Sequence, residues 1–325
     1  MRNICYNPPE KNNKNEYINN ILRLGLSCNE KCLFCNVTPE NASITNKVPL
    51  GKAEAQIREF SSRRNIELSF SGGEPTICRK DLLYLIAYAK KMGIRRIQIQ
   101  TNATLITKDY ARDLKCAGLT SAFVSFHSHI KKINDVLTGL KNSYDLTIRG
   151  IENLISAHVT VTINTVINQL NYMHFPGFVA FIKNKFSEVD LISLAIMQPV
   201  GMGRKNIHFL PRYPQIKPYI ADGILLARKN NIRVDNHYCG LPLCFWDNNS
   251  LEESIEYNEN KFLRRAKSDF VPDKKVTFIQ KEKIHTRYCF NCYLKNFCNG
   301  VWRAYVDYYG PEDVKPIKES LKWWL

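Results

Sequence analysis

The chain has 325 residues, 44% hydrophobic and 23% charged, with a formal net charge of +16, a balance expected of a soluble globular protein of one large domain with an appendage, or of two domains. No uninterrupted apolar run reaches the roughly 18 residues that a bilayer span needs, and the opening Met1-Arg-Asn-Ile-Cys-Tyr has no signal-peptide core, so no membrane partner and a cytoplasmic location are expected. The positive charge is dispersed in pairs such as Arg63-Arg64, Lys90-Lys91, Arg95-Arg96 and Lys131-Lys132, which argues against a nucleic-acid-binding tail.

Residues 1–20 are polar, carry Pro8-Pro9 and read as an extended arm. From 21 to 200, short apolar runs alternate with helical patterns. Strands are predicted at Ile21–Leu26, Ile66–Phe70, Ile97–Thr101, Ala122–Phe126, Val159–Ile167 and Leu191–Met197. Helices are predicted at Lys52–Ser61, Asp81–Lys91, Lys108–Cys116, Tyr144–Ala157 and Gly177–Lys185. In Asp81–Lys91 the residues Leu82, Leu83, Leu85, Ile86, Tyr88 and Ala89 form one apolar stripe. Thr107 is a predicted N-cap and Gly118 a predicted stop. Strands separated by helices at this interval are βαβ units, and six of them predict an α/β fold, a partial (β/α)6 barrel related to the eightfold TIM barrel. Such barrels carry their chemistry on loops at the C-terminal ends of the strands. Residues 201–234, with Pro211, Pro214 and Pro218, read as a linker followed by a helix around Ile220–Asn230. Residues 235–325 read as a small cysteine-rich domain held by metal.

Eleven cysteines in a reducing compartment are not expected to form disulfides. Cys28, Cys32 and Cys35 lie within eight residues, directly after the first predicted strand. Thiolates at this spacing suit one loop around one soft metal centre. An iron–sulfur cube takes four cysteines, so three leave one iron open to a ligand. Taken alone, the triad also fits a zinc knuckle lacking its fourth ligand. Ser71-Gly72-Gly73-Glu74-Pro75-Thr76 follows the second predicted strand. Its paired glycines allow close approach to the backbone, and Glu74 supplies a carboxylate for an ammonium group.

Cys-x3-Cys-x2-Cys with Phe34 before the last cysteine, followed by Gly72-Gly73-Glu74-Pro75, resembles the paired motifs of the radical S-adenosylmethionine (radical SAM) enzymes. The resemblance implies a catalytic 4Fe–4S cluster on Cys28, Cys32 and Cys35, S-adenosylmethionine as cofactor, and its reductive cleavage to a 5′-deoxyadenosyl radical that abstracts hydrogen from the substrate. Phe34, Gly72, Gly73, Glu74 and Pro75 are then expected at the cofactor. Asn102, Ser125, His127 and Asn164 resemble family positions at strand ends, and Gln198 lies in a loop like the one that meets the adenine. His127 is expected either at the cofactor or as a hydrogen-bonded rim histidine. An electron donor such as flavodoxin or ferredoxin is implied as partner.

Cys239 and Cys244 precede Cys289-x2-Cys292-x5-Cys298. The second group resembles the SPASM or twitch extensions of the same family, which hold auxiliary clusters. Trp302 stands where full SPASM has a further cysteine. Five thiols fit one auxiliary 4Fe–4S cluster, with zinc as the alternative, and leave open which four bind. The extension points to a ribosomally made peptide as substrate. The alternatives are small-molecule or cofactor biosynthesis, or RNA modification.

Overall fold

The computed structural model describes residues 20–37, 47–62, 67–236, 241–246, 251, 254, 257 and 282–318. Most of the N-terminal arm, Cys239 and the Trp323-Trp324 tail lie outside the described residues. The body is one seven-stranded sheet in sequential order, every neighbouring pair parallel. Its strands are β1 (Ile21–Arg23), β2 (Glu67–Ser71), β3 (Arg96–Thr101), β4 (Ser121–Ser125), β5 (Thr160–Ile167), β6 (Leu191–Ile196) and β7 (Arg233–Asp235). Helices α1 (Leu50–Ser62), α2 (Arg79–Lys91), α3 (Lys108–Ala117), α4 (Lys131–Thr138), α5 (Ser143–Ser156), α6 (Phe175–Lys185) and α7 (Tyr213–Lys229) connect them.

Each helix forms where its apolar stripe meets the sheet. In α2 the buried residues are Leu82, Leu85, Ile86 and Ala89, while Leu83 and Tyr88 of the expected stripe flank them half-buried. Thr107 caps α3 by accepting from the Tyr110 amide at 3.2 Å, and Gly118 ends it at φ +124°. Strands β2 to β5 alternate between fully buried and half-buried residues. The buried set (Leu68, Phe70, Ile97, Ile99, Ala122, Val124, Val161, Ile163, Ile167) is apolar apart from Thr101 and Thr165 near the strand ends. The half-buried set is largely polar: Ser69, Ser71, Gln98, Gln100, Ser125, Thr162 and Asn164. Parallel strands covered on both faces are apolar throughout, so this half-buried polar face differs from the face that packs on the helices.

Two stretches depart from the sequence reading. The seventh strand comes from Arg233-Val-Asp, beyond the expected six, and pairs with Leu191–Ser193. Residues 201–234 thus belong to the sheet and its helical layer. Pro214 occupies the first turn of α7 and Pro218 lies inside it, where it forgoes one backbone bond while Ile216, Ile220, Gly223, Ile224 and Ala227 still form a buried stripe. Helix α4, which the sequence reading does not contain, spans eight residues, too few for a periodic pattern to stand out.

The C-terminal segment has little regular structure: β8 (Lys283–Ile284) pairs antiparallel with β9 (Val301–Trp302), followed by α8 (Arg303–Tyr309). It is tied to the start of α7 by aromatic rings. Tyr305 stacks on Tyr213 with centroids 3.8 Å apart and planes 8° off parallel. Its hydroxyl accepts from the Tyr213 amide at 2.9 Å and donates to Asp313 at 2.7 Å, and Asp313 also pairs with Arg212 at 2.8 Å.

Helices α6 and α7 approach closely at Gly223, where a Cβ would lie 2.2 Å from the Phe175 ring. Because Phe175 is itself buried, the ring has little room to retreat. Gly223→Val is expected to destabilise the fold by about 2 kcal/mol, read as a lower urea midpoint with an unchanged slope.

Candidate active site and a second thiol site

The cysteine loop leaves β1 and is held from three sides. The amides of Lys31 and Leu33 donate to the carbonyls of Thr138 (2.8 Å) and Leu137 (3.0 Å) at the end of α4. Gly139, at φ +64°, lets that end turn away; a Cβ there would sit 2.8 Å from the Lys31 carbonyl oxygen. On the other side the Met202 amide donates to the Cys35 carbonyl at 2.8 Å and the Asn206 side chain to that of Leu33 at 2.9 Å. Asn29, between the first two cysteines, donates to Thr104 at 2.8 Å and accepts from Asn102 at 2.9 Å.

The glycine motif meets the same loop from β2. Gly73 and Glu74 donate backbone bonds of 2.8 Å to the carbonyls of Gly25 and Ser27. A Cβ at Gly72 would lie 2.1 Å from the Gly25 carbonyl oxygen, and one at Gly73 2.1 Å from that of Ser27. The glycines therefore admit the backbone leading into Cys28. Glu74 joins the neighbouring strand ends. It is buried, and its Oε1 accepts from the Thr76 amide (2.9 Å), the Thr76 hydroxyl (2.6 Å) and the Thr101 hydroxyl (2.8 Å). Its Oε2 accepts from the Asn102 amide at 2.7 Å. Burial pushes this carboxyl up, opposed by those donors. Glu74 thus ties the end of β2 to the end of β3, with Pro75 starting the short 3-10 turn between motif and α2.

Phe34 packs edge-on against His127, centroids 4.7 Å apart. His127 is buried and its Nδ1 accepts from the Val166 amide at 3.2 Å; burial lowers its pKa to about 3. The ring thus supports Phe34 and is held by the backbone of β5. Ser125 and Asn164 are register partners on β4 and β5, both half-buried on the polar face. Ser71 donates to Gln100 across the same face at 2.7 Å. Gln198 accepts from Asn36 at 3.3 Å beside the loop. Asn102 is spent on Asn29 and on two bonds from Thr104.

Among the described residues, the charges that act on Cys28, Cys32 and Cys35 are negative. Burial pushes Cys28 up to about 12 and raises Cys32 and Cys35, and the Glu30 charge adds to each. Thiols in this setting ionise when a metal displaces their protons. Backbone amides of Glu30 and Val37 already point at Cys28 and Cys35 sulfur, each at 3.4 Å. Glu30, which the sequence reading did not single out, is buried in the loop, with its Oε2 on the Cys32 thiol at 3.5 Å. The signal for it was a carboxylate placed between two ligands.

A second set of thiols converges in the C-terminal segment. Cys244, Cys289, Cys292 and Cys298 line one pocket with Pro242, Leu294 and Val314. The amides of Leu243 and Gly300 point at Cys298 sulfur at 3.4 and 3.3 Å. Burial pushes Cys244 up to about 12, with Cys292 and Cys289 adding to it. Trp302 is fully buried behind them in β9. Among the described residues, no three His, Cys, Asp or Glu side chains converge as tightly as a single metal ion requires.

Residues 22–182 match the radical SAM superfamily. With the cysteine loop and glycine motif at the C-terminal ends of β1 and β2, these residues form a radical SAM domain. It is 33% identical over 181 residues to the Fe-coproporphyrin III synthase of Methanosarcina barkeri, covering 56% of this chain and 44% of the relative. The chain therefore spans under half the length of that relative. It is 28% identical over 291 residues to a probable GTP 3′,8-cyclase of Saccharolobus islandicus, covering 77% of this chain and 90% of that protein. In fold it resembles Streptococcus suis SuiB bound to its precursor peptide SuiA, with TM-score 0.56 and 23% identity over 67% of this chain and 48% of SuiB.

Two outcomes test this geometry. Gly73→Ala is expected to displace Ser27 and with it Cys28, lowering the iron retained after anaerobic reconstitution while leaving far-UV circular dichroism intact. The ring-proton resonances of His127 are expected to stay flat from pH 8 to pH 5, where an exposed histidine titrates; a midpoint near 6.5 would show a solvated ring.

Proposed function

We propose that this radical SAM enzyme acts on a ribosomally made peptide, with Cys28, Cys32 and Cys35 holding the catalytic 4Fe–4S cluster and Cys244, Cys289, Cys292 and Cys298 an auxiliary one. When bound, the first cluster supplies the electron that splits S-adenosylmethionine into methionine and a 5′-deoxyadenosyl radical. The protein's part is placement and exclusion of side reactions. The amides of Glu30 and Val37 orient the sulfurs, the Gly72-Gly73 backbone fixes the approach to Cys28, and Glu74 locks the neighbouring strand ends. The polar face with Ser71, Gln100, Ser125 and Asn164 offers hydrogen-bond partners to the cofactor's polar groups.

The observation that carries the peptide reading is the four-thiol pocket. Four cysteines complete the ligand set of a four-iron cluster. No iron corner then remains for a small substrate to bind, as an anchoring role would require. A closed cluster suits removal of an electron from a substrate held elsewhere, and the SuiB–SuiA complex is a precedent in fold for a peptide at such a barrel. The second reading, a nucleotide or porphyrin-type substrate, is favoured by the cyclase and synthase relatives.

About eight irons per chain are expected in the reconstituted protein, and about four when Cys28, Cys32 and Cys35 are all replaced by Ala. Only the parent should release 5′-deoxyadenosine with dithionite and S-adenosylmethionine. GTP that perturbs the EPR spectrum of the C-terminal cluster would reveal an open iron and overturn the peptide reading in favour of the second.

A further inference from the structure

The hairpin of β8 and β9 has two faces. Val301 lines the four-thiol pocket, and successive residues of a strand face opposite sides. Trp302 and its register partner Lys283 therefore face away from the thiols together. Both are buried, at 2% and 5% exposure. The Trp302 Nε1–H is enclosed and meets no acceptor. The Lys283 ammonium lies 5.5 Å from the Trp302 ring centroid, the distance of a cation held by an aromatic ring. A buried donor without an acceptor is rare in a folded protein and marks a group that the protein alone does not satisfy.

The hairpin is also linked to the catalytic loop. Glu282, the residue before β8, accepts from Arg204 at 3.4 Å. Arg204 belongs to the short helix Met202–Lys205, whose first amide donates to the Cys35 carbonyl at 2.8 Å. Arg204 and Glu282 are paired with each other, while Lys283 is the buried charge of the hairpin. An indole N–H and an ammonium only donate, and the ammonium has three donors, so one contact with the protein does not exhaust it. The partner common to both is a group with two acceptor oxygens and one negative charge. A carboxylate has that form, and charge-assisted bonds to it are stronger than neutral ones. A triphosphate brings more negative charge than one buried ammonium offsets.

We propose that Lys283 and Trp302 form a subsite for a carboxylate of the substrate, either an acidic side chain or the C-terminal group of the peptide. This rests on the reading of the substrate as a peptide. The ammonium supplies the opposite charge and the indole N–H fixes the orientation. A substrate held on this face leaves the thiols on the Val301 side untouched. That agrees with four cysteines closing the second cluster, since the substrate is then anchored by side chains and not by an iron.

The test uses the full chain, reconstituted anaerobically and carrying isotopically labelled tryptophan. The indole N–H resonance missing from Trp302→Phe, which keeps an aromatic ring and loses the donor, reports the site. Three acetylated peptides of one neutral sequence are titrated in: a C-terminal amide, a C-terminal acid, and an amide with one internal Glu. The neutral amide is expected to leave the Trp302 resonance in place. A carboxylate peptide is expected to move it downfield, and whether the acid or the Glu peptide does so identifies the source of the carboxylate. Lys283→Met, which keeps the side-chain length and loses the charge, is expected to weaken binding of that peptide about tenfold, with S-adenosylmethionine binding unchanged. Should Trp302→Phe not fold, the ratio of peptide affinities between the parent and Lys283→Met decides alone. Peptides that bind the parent and Lys283→Met equally and leave the indole unmoved would overturn the proposal and keep the peptide reading. GTP that moves the indole where no peptide does would overturn both. An indole that none of these moves would assign the N–H to a buried water, and the proposal would fall.

Discussion

The catalytic end of this molecule depends on two backbones running closer together than side chains permit. Gly25–Ser27, leading into Cys28, lies against Gly72-Gly73, with hydrogen bonds of 2.8 Å from Gly73 and Glu74. A methyl group at either glycine would fall 2.1 Å from a carbonyl oxygen of the other segment. The cysteine loop has no secondary structure of its own, so its shape is inherited from this contact and from the carbonyls at the end of α4. Glu74 extends the constraint to the next strand: one buried carboxylate satisfied by four donors makes the ends of β2 and β3 move as a unit. A buried carboxylate so placed is costly to disturb, since losing its partners leaves a desolvated group behind.

A second constraint comes from the sheet. Its apolar residues point to the helices, and its polar residues point to the concave side. The polar face would be a liability in a packed core, because each buried polar group needs a partner. Ser71 and Gln100 satisfy each other across strands, while Ser125 and Asn164 remain half-buried at the mouth. His127 belongs to the supporting frame: it is neutral, spent on the Val166 amide, and braces Phe34 within the cysteine loop.

The C-terminal segment follows different physics. Among its described residues the strands are two residues long and the one α-helix seven, and the aromatic stack onto α7 ties them to the barrel.

Much of this was legible in the sequence. The 3.6- and two-residue periodicities located all six expected strands and five of the barrel helices within a few residues, because burial against a sheet imposes those periods directly. The cysteine triad and the Gly-Gly-Glu run were visible because metal ligation and close backbone approach each demand particular residue types at particular spacings. Helix α4 was not legible, being eight residues long, nor was β7, whose three residues pair only because α7 returns the chain to the edge of β6. The roles of Glu74, Asn102 and His127 were equally hidden, since a polar residue at a strand end can face a ligand or a neighbouring amide, and only the packed arrangement selects between them. By itself, then, the sequence determined the alternation of elements and the two sets of thiols, which depend on local period and residue chemistry. Tertiary structure alone decided which Cys244, Cys289, Cys292 and Cys298 share a pocket and which polar groups are already spent, because those are distances between residues far apart in the chain.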